Sequence, residues 1–149
     1  MSVVVRTVAR IILPLVLIFG AYVIMHGHLT PGGGFQGGAV AASAVALLVI
    51  TFGSQRWKRI KGSLSFLEDL GAVAFVALGF LGIGYTFFRN VLAGTGGLFG
   101  APVPFGPNPG WLNTGGTLPL MNWAVGLKVI AGLGAVVLML GLFGGGDDW

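Results

Sequence analysis

His26-Gly-His-Leu-Thr-Pro-Gly-Gly-Gly-Phe-Gln-Gly-Gly38 is the polar, glycine-dense break between two apolar runs near the N-terminus, and it holds both histidines of the chain. Three successive glycines after Pro31 (Gly32, Gly33, Gly34) do not make a helix interior, because each costs about 1 kcal/mol there relative to alanine. They let the backbone bend sharply or come very close to another chain. On either side the sequence is apolar enough to be a helix in lipid, so the break separates two spans.

Working outward, the chain is 55% hydrophobic and only 8% charged, with a mean hydropathy of +0.94. A soluble domain carries roughly 25% charged residues. So few charges cannot cover a water-facing surface, and most of the chain must face lipid or other membrane subunits. There is no cysteine, which excludes disulfides, cysteine-ligated metals and iron–sulfur clusters. The net charge of +4 is small and clustered. It marks topology and not a nucleic-acid footprint. No Ala-x-Ala-type site follows the first apolar run, so no cleavable signal peptide is expected.

The pattern predicts an all-α, polytopic membrane protein. It is one domain over 1–149 with four transmembrane helices at about 8–25, 35–52, 66–88 and 120–143, and a long outer loop between helices 3 and 4. Each apolar run approaches the roughly 20 residues a span needs. Gly34, Gly38, Ala42 and Ala46 recur every four positions beside Gly37 and Ala41. Such a small-residue face lets helix backbones approach closely, either within the chain or against another subunit. Arg6, Arg10 and the run Ser54-Gln-Arg-Trp-Lys-Arg-Ile-Lys61 put the N-terminus and the second loop on the cytoplasmic side by the positive-inside rule. Four spans bring the tail Gly144-Gly-Gly-Asp-Asp-Trp149 to the same side, in a multi-pass protein of the plasma membrane. The segment Asn90–Leu118 is broken by Pro102, Pro104, Pro107 and Pro109. These rule out a helix through its middle, and its aromatic residues suit a segment laid over the membrane surface or a neighbour.

The ionisable residues are few. Ser65-x-x-Glu68 has the spacing of a capping box, and Asp69 adds charge at the positive end of a helix dipole. The alternative is that Glu68 and Asp69 collect protons or cations at the cytoplasmic mouth. Lys128 lies roughly 12 Å below the start of the fourth span, on a face of small side chains. It either points at another helix or snorkels to the headgroups. An intramembrane ionisable group is a functional candidate by default. His26 and His28 are candidates for proton exchange, because the imidazole is the side chain whose ordinary titration falls near neutral pH. A zinc site needs at least three protein ligands, and no acid or cysteine lies near the two histidines, so no metal and no cofactor is expected. No nucleophile–base–acid set can be assembled, so no catalytic residue is assigned. The ion-path candidates are therefore Lys128, His26, His28, Glu68 and Asp69. All four acids read as sitting at helix ends or in the tail, which leaves the chain poorly equipped to exchange ions alone.

From Gly27 to Gly38 the sequence closely resembles the B subunit of multisubunit Na⁺/H⁺ antiporters, the Mrp/Mnh family, which carries a Gly-His-x-x-Pro-Gly-Gly-Gly-Phe-x-Gly-Gly motif between the first two of its four helices. The resemblance is strongest from Tyr22 to Ala46. It implies a non-catalytic membrane subunit of an ion-translocating module, with other hydrophobic subunits and membrane lipids as partners. It further implies that Pro31, Gly32, Gly33, Gly34, Phe35, Gly37, Gly38 and Ala42 form a subunit-contact motif. The same module occurs in archaeal membrane-bound hydrogenases, where a redox arm drives ion movement. Many stand-alone antiporter B subunits have an acidic residue near the start of the last helix. Here Asn122 and Lys128 stand in that region, which is more like the hydrogenase-type modules. The competing expectations are a subunit of a stand-alone Mrp-type antiporter and a small autonomous four-helix exporter. The exporters use a first-helix glutamate, and the first span here has none.

Overall fold

The computed structural model describes residues 2–107 and 110–144. Pro109 and the tail beyond Gly144 lie outside the described residues. Four helices account for the apolar runs: α1 (Val3–Met25), α2 (Gly34–Phe52), α3 (Lys61–Phe80) and α4 (Leu118–Phe143). All four are long and apolar enough to cross a membrane, the third when taken with the residues before it as Ser54–Phe80. There is no strand among the described residues. Ser2 caps α1, its hydroxyl accepting from the Val5 N–H at 3.4 Å. Between α1 and α2 the chain makes a tight turn, with the Leu29 and Thr30 N–H groups donating to the His26 carbonyl. Gly32 and Gly33 then take φ of +142° and +112°, a backbone that side-chain-bearing residues rarely adopt. The glycine run thus stops one helix and starts the next.

The helices stand in the order α1–α2–α4–α3. α2 packs on α1 and on α4, and α3 packs on α4; α1 meets α4 only lightly, and α3 touches neither α1 nor α2. The result is a layer one helix thick, not a closed bundle. Small residues on two faces of α2 explain the tight contacts. A Cβ on Gly37 would lie 2.7 Å from the Gly20 carbonyl of α1, and one on Gly38 would lie 3.0 Å from the Gly126 carbonyl of α4. Backbones this close gain dispersion contacts that lipid cannot match. Gly34, Gly37, Gly38, Ala41 and Ala42 are accordingly buried inside the chain.

The third span differs from the sequence expectation at both ends. It begins at Lys61, directly after a short 3-10 helix over Ser54–Ile60, and it stops at Phe80 instead of Phe88. Lysine and arginine are good helix formers, so the basic run is helical and not a loop. Gly79, Gly82 and Gly84 end the helix early. Past Phe80 the chain reverses, and the Phe88 N–H donates to the Gly79 carbonyl at 3.0 Å. Phe88 then packs on Phe75, and Phe87 on Phe80. Because α3 starts at Lys61, Ser65 is interior to the helix and the capping box does not form. The cap position is Ile60, without a side-chain hydrogen bond.

At one end of the layer Trp57 and Ile60 pack on Val49, Leu64 and Leu138, and Ser54 donates to the Gly141 carbonyl at 2.8 Å. At the other end residues 81–107 and 110–117 are turns and irregular chain, pinned by two asparagines. Asn90 donates to the Gly115 carbonyl and accepts from the Thr117 N–H, both at 2.8 Å. The Asn113 side chain accepts from the Phe99 N–H at 2.6 Å.

Candidate functional site

Glu68 and Lys128 form an ion pair, with Nζ 3.7 Å from Oε1. It is the salt bridge found among the described residues. Glu68 lies on the stripe of α3 that faces α4, together with Leu64 and Gly71, and the missing side chain of Gly71 lets α3 settle on the Lys128 backbone, where a Cβ would come within 2.8 Å of the Lys128 nitrogen. Gly132, one turn beyond Lys128 on α4, leaves room for the carboxylate; a Cβ there would meet the Glu68 carboxyl at 3.3 Å. At 1.5 Å per residue the two side chains start roughly 10 Å into α3 and roughly 15 Å into α4. The pair therefore sits within the apolar layer. The reading that all acids lie at helix ends is corrected for Glu68 by the early start of α3. Asp69 is exposed on the flank of α3.

A single charge near the centre of a bilayer costs about 2.5–3.5 kcal/mol on insertion scales, and pairing reduces that cost for both groups. The pair is nonetheless half open, with side-chain exposures of 50% for Lys128 and 37% for Glu68. It faces a groove of about 780 Å³ whose floor is α4, from Lys128 to Gly144, with Phe35 of α2 and Glu68 of α3 at its edges. The walls are otherwise aliphatic, with Val136, Met139 and Leu140 among them.

The histidines lie elsewhere, at the end of the layer closed by residues 81–107 and 110–117. His26 Nδ1 is 3.0 Å from the Tyr22 carbonyl, and the His26 ring lies on the Tyr22 ring. Both ring nitrogens of His28 are buried. Gly115, at φ +90°, passes so close that a Cβ would lie 2.9 Å from the His28 ring. Burial pushes the His28 pKa below its ordinary 6.5; the nearby backbone of Trp111 and Leu112 opposes the fall, and the charge of His26 adds to it. Beside this turn the Asn122 side chain wedges between Gly27 and Gly33, where added Cβ atoms would meet it at 2.7 and 3.2 Å. No group of three or more metal-ligating side chains exists among the described residues.

Of the expected contact motif, Gly33, Gly34, Gly37, Gly38 and Ala42 are buried within the chain, whereas Pro31, Gly32 and Phe35 are exposed. The five ion-path candidates do not form one cluster: Glu68 and Lys128 meet, Asp69 flanks them, and His26 and His28 share the turn between α1 and α2. Sequence reasoning missed the Glu68–Lys128 pair. The available signal was opposite charge at matching depth in two antiparallel spans.

The family model described as a domain related to the MnhB subunit of Na⁺/H⁺ antiporter matches residues 4–135. The chain belongs to this family. The MnhB match takes in the glycine-rich turn, α1 from its second residue, all of α2 and α3 and both members of the ion pair. An uncharacterized protein of Methanocaldococcus jannaschii is 40% identical to this MnhB-family chain over 131 residues, 85% of this chain and 47% of that protein. A protein of Staphylococcus haemolyticus named as antiporter subunit mnhB2 is 48% identical over 51 residues, 34% of this chain and 36% of its own length. A Staphylococcus aureus protein of the same name is 46% identical over the same length. The chain thus spans less than half the length of the curated relatives it matches.

Proposed function

We propose that this chain is a non-catalytic integral-membrane subunit of a multisubunit ion-translocating module of the Na⁺/H⁺ antiporter type, working inside a redox-driven complex such as a membrane-bound hydrogenase. The observation that carries the reading is the Glu68–Lys128 pair, held inside the apolar layer and open to a groove. One layer of four helices encloses no path across itself, so ions pass where this layer meets a neighbour. A proton or Na⁺ moving near the pair shifts its electrostatic balance, an effect that low dielectric strengthens. His26, His28 and Asp69 are secondary candidates on the same route. The basic turn over Ser54–Lys61 supports cytoplasmic termini and an outer position for the glycine-rich turn in the plasma membrane.

Mass spectrometry of the intact complex from native membranes tests this. Several hydrophobic companions together with a hydrogenase or other redox arm are expected. Hydrophobic companions without such an arm favour the second reading, a stand-alone Mrp-type antiporter, which the names of the staphylococcal relatives support. A purified chain that moves ions in liposomes without companions overturns both and revives the autonomous exporter. In vesicles holding the assembled complex, Lys128→Ala is expected to cut Na⁺-linked proton flux at least several-fold, with the subunit composition unchanged.

A further inference from the structure

We infer that the α4 groove is the seat of one transmembrane helix of a partner subunit, and that this helix presents a neutral hydrogen-bonding side chain, an amide or a hydroxyl, to Lys128 and Glu68. The inference rests on the proposed place of the chain in a membrane complex.

Three observations carry it. First, the ion pair at 3.7 Å is beyond hydrogen-bond reach. Lys128 offers three donors and Glu68 two acceptor oxygens, and no other hydrogen bond of either side chain is found among the described residues. Within an apolar layer polar groups are satisfied by protein or by water, since lipid tails supply neither donor nor acceptor. Second, the groove has the length of a helix face. Its lining runs along α4 from Lys128 to Gly144, roughly 24 Å at 1.5 Å per residue, and α2 and α3 contribute only Phe35 and Glu68 to it. Exposed Val136 and Leu140 on that floor offer the apolar contact a helix face requires. Third, charge selects the occupant. Lys128 and Glu68 neutralise each other, so a third formal charge at that depth would be unpaired and costly. A neutral side chain that both donates and accepts meets both groups without that cost.

The test leaves the pair intact. The photoreactive residue p-benzoylphenylalanine replaces Val136 or Leu140, one at a time, in the native complex, and the crosslinked peptides are sequenced after illumination. The expected major product at both sites is one segment of a companion subunit, an apolar stretch of about 20 residues with Asn, Gln, Ser or Thr at the depth of Lys128. Replacing that residue by alanine should then reduce the crosslink several-fold. Crosslinks confined to lipid, to residues 145–149 of this chain, to a second copy of it, or to a helix that is wholly apolar or charged at that depth overturn the inference. Any of these results within a complex of intact composition leaves the proposed function standing. Loss of the companions themselves from the unsubstituted preparation counts against that function instead.

Discussion

Lys128 and Glu68 come from opposite ends of the sequence argument. The small neighbours Ala124, Ala131, Gly132 and Ala135 made Lys128 a candidate to face a helix, with snorkelling to the headgroups as the alternative. Glu68 was not readable, because Ser65-x-x-Glu68 mimics a cap and the basic residues before it mimic a loop. Local spacing has the same form in a cap and in a continuing helix, and only the extra turns from Lys61 distinguish them. His28 supplies a prediction at this scale. Its folded pKa is lowered, chiefly by burial, so between that lowered value and 6.5 an opened or unfolded state binds a proton that the closed state does not. Stability of the closed arrangement therefore falls as pH drops through this window and levels off below it. His26 is the titratable neighbour acting on the ring; Arg89 is stacked on Tyr85, 4.0 Å from its centroid. Once hydrogen-exchange rates are divided by the intrinsic rate at each pH, the opening of the amides of residues 110–117 should become easier on acidification below 6.5, and His28→Gln should flatten that pH dependence. An unchanged profile in the variant would remove His28 as the cause.

Element contacts turn on glycines that have no room for a side chain. Gly38→Leu drives a side chain into Val129 and the Gly126 carbonyl. Overpacking of this kind costs about 1–3 kcal/mol, more where the obstacle is backbone, and the assembled complex should lose thermal stability measurably. Gly62 has nothing within 4 Å of an added Cβ and lies in the first turn of α3, so Gly62→Ala should be neutral or stabilise by up to about 1 kcal/mol through helix propensity. The same melting assay compares the two. The number of spans was legible from the apolar runs. The end of α3 was not, because Gly79, Gly82 and Gly84 lie in sequence that stays apolar to Phe88, and hydropathy does not distinguish a helix from a chain that folds back on it. The small-residue periodicity of α2 was visible, but periodicity does not say whether the covering helix belongs to the same chain. Here α1 and α4 cover it.

For the whole molecule, composition alone announced a membrane protein, while the neighbour order α1–α2–α4–α3 had no signature in the sequence. Orientation yields a prediction at this scale. The chain has no cysteine of its own, so single cysteines at exposed Lys58 and Trp111 report sidedness cleanly. With the basic turn cytoplasmic, a membrane-impermeant thiol reagent applied to intact cells should label Trp111→Cys and spare Lys58→Cys; the reverse pattern would invert the topology.

The same neighbour order governs how the protein is made. Helices adjacent in sequence usually meet as they enter the membrane, and α1 and α2 can pair at once. α3 cannot, because its partner has not yet been synthesised. It must wait in lipid, with Glu68 uncompensated, until α4 emerges and slides between it and the α1–α2 hairpin, bringing Lys128. This layer is therefore closed by α4 in a single late step, and a ribosome stalled before α4 would leave α3 as the segment of the layer most open to membrane proteases.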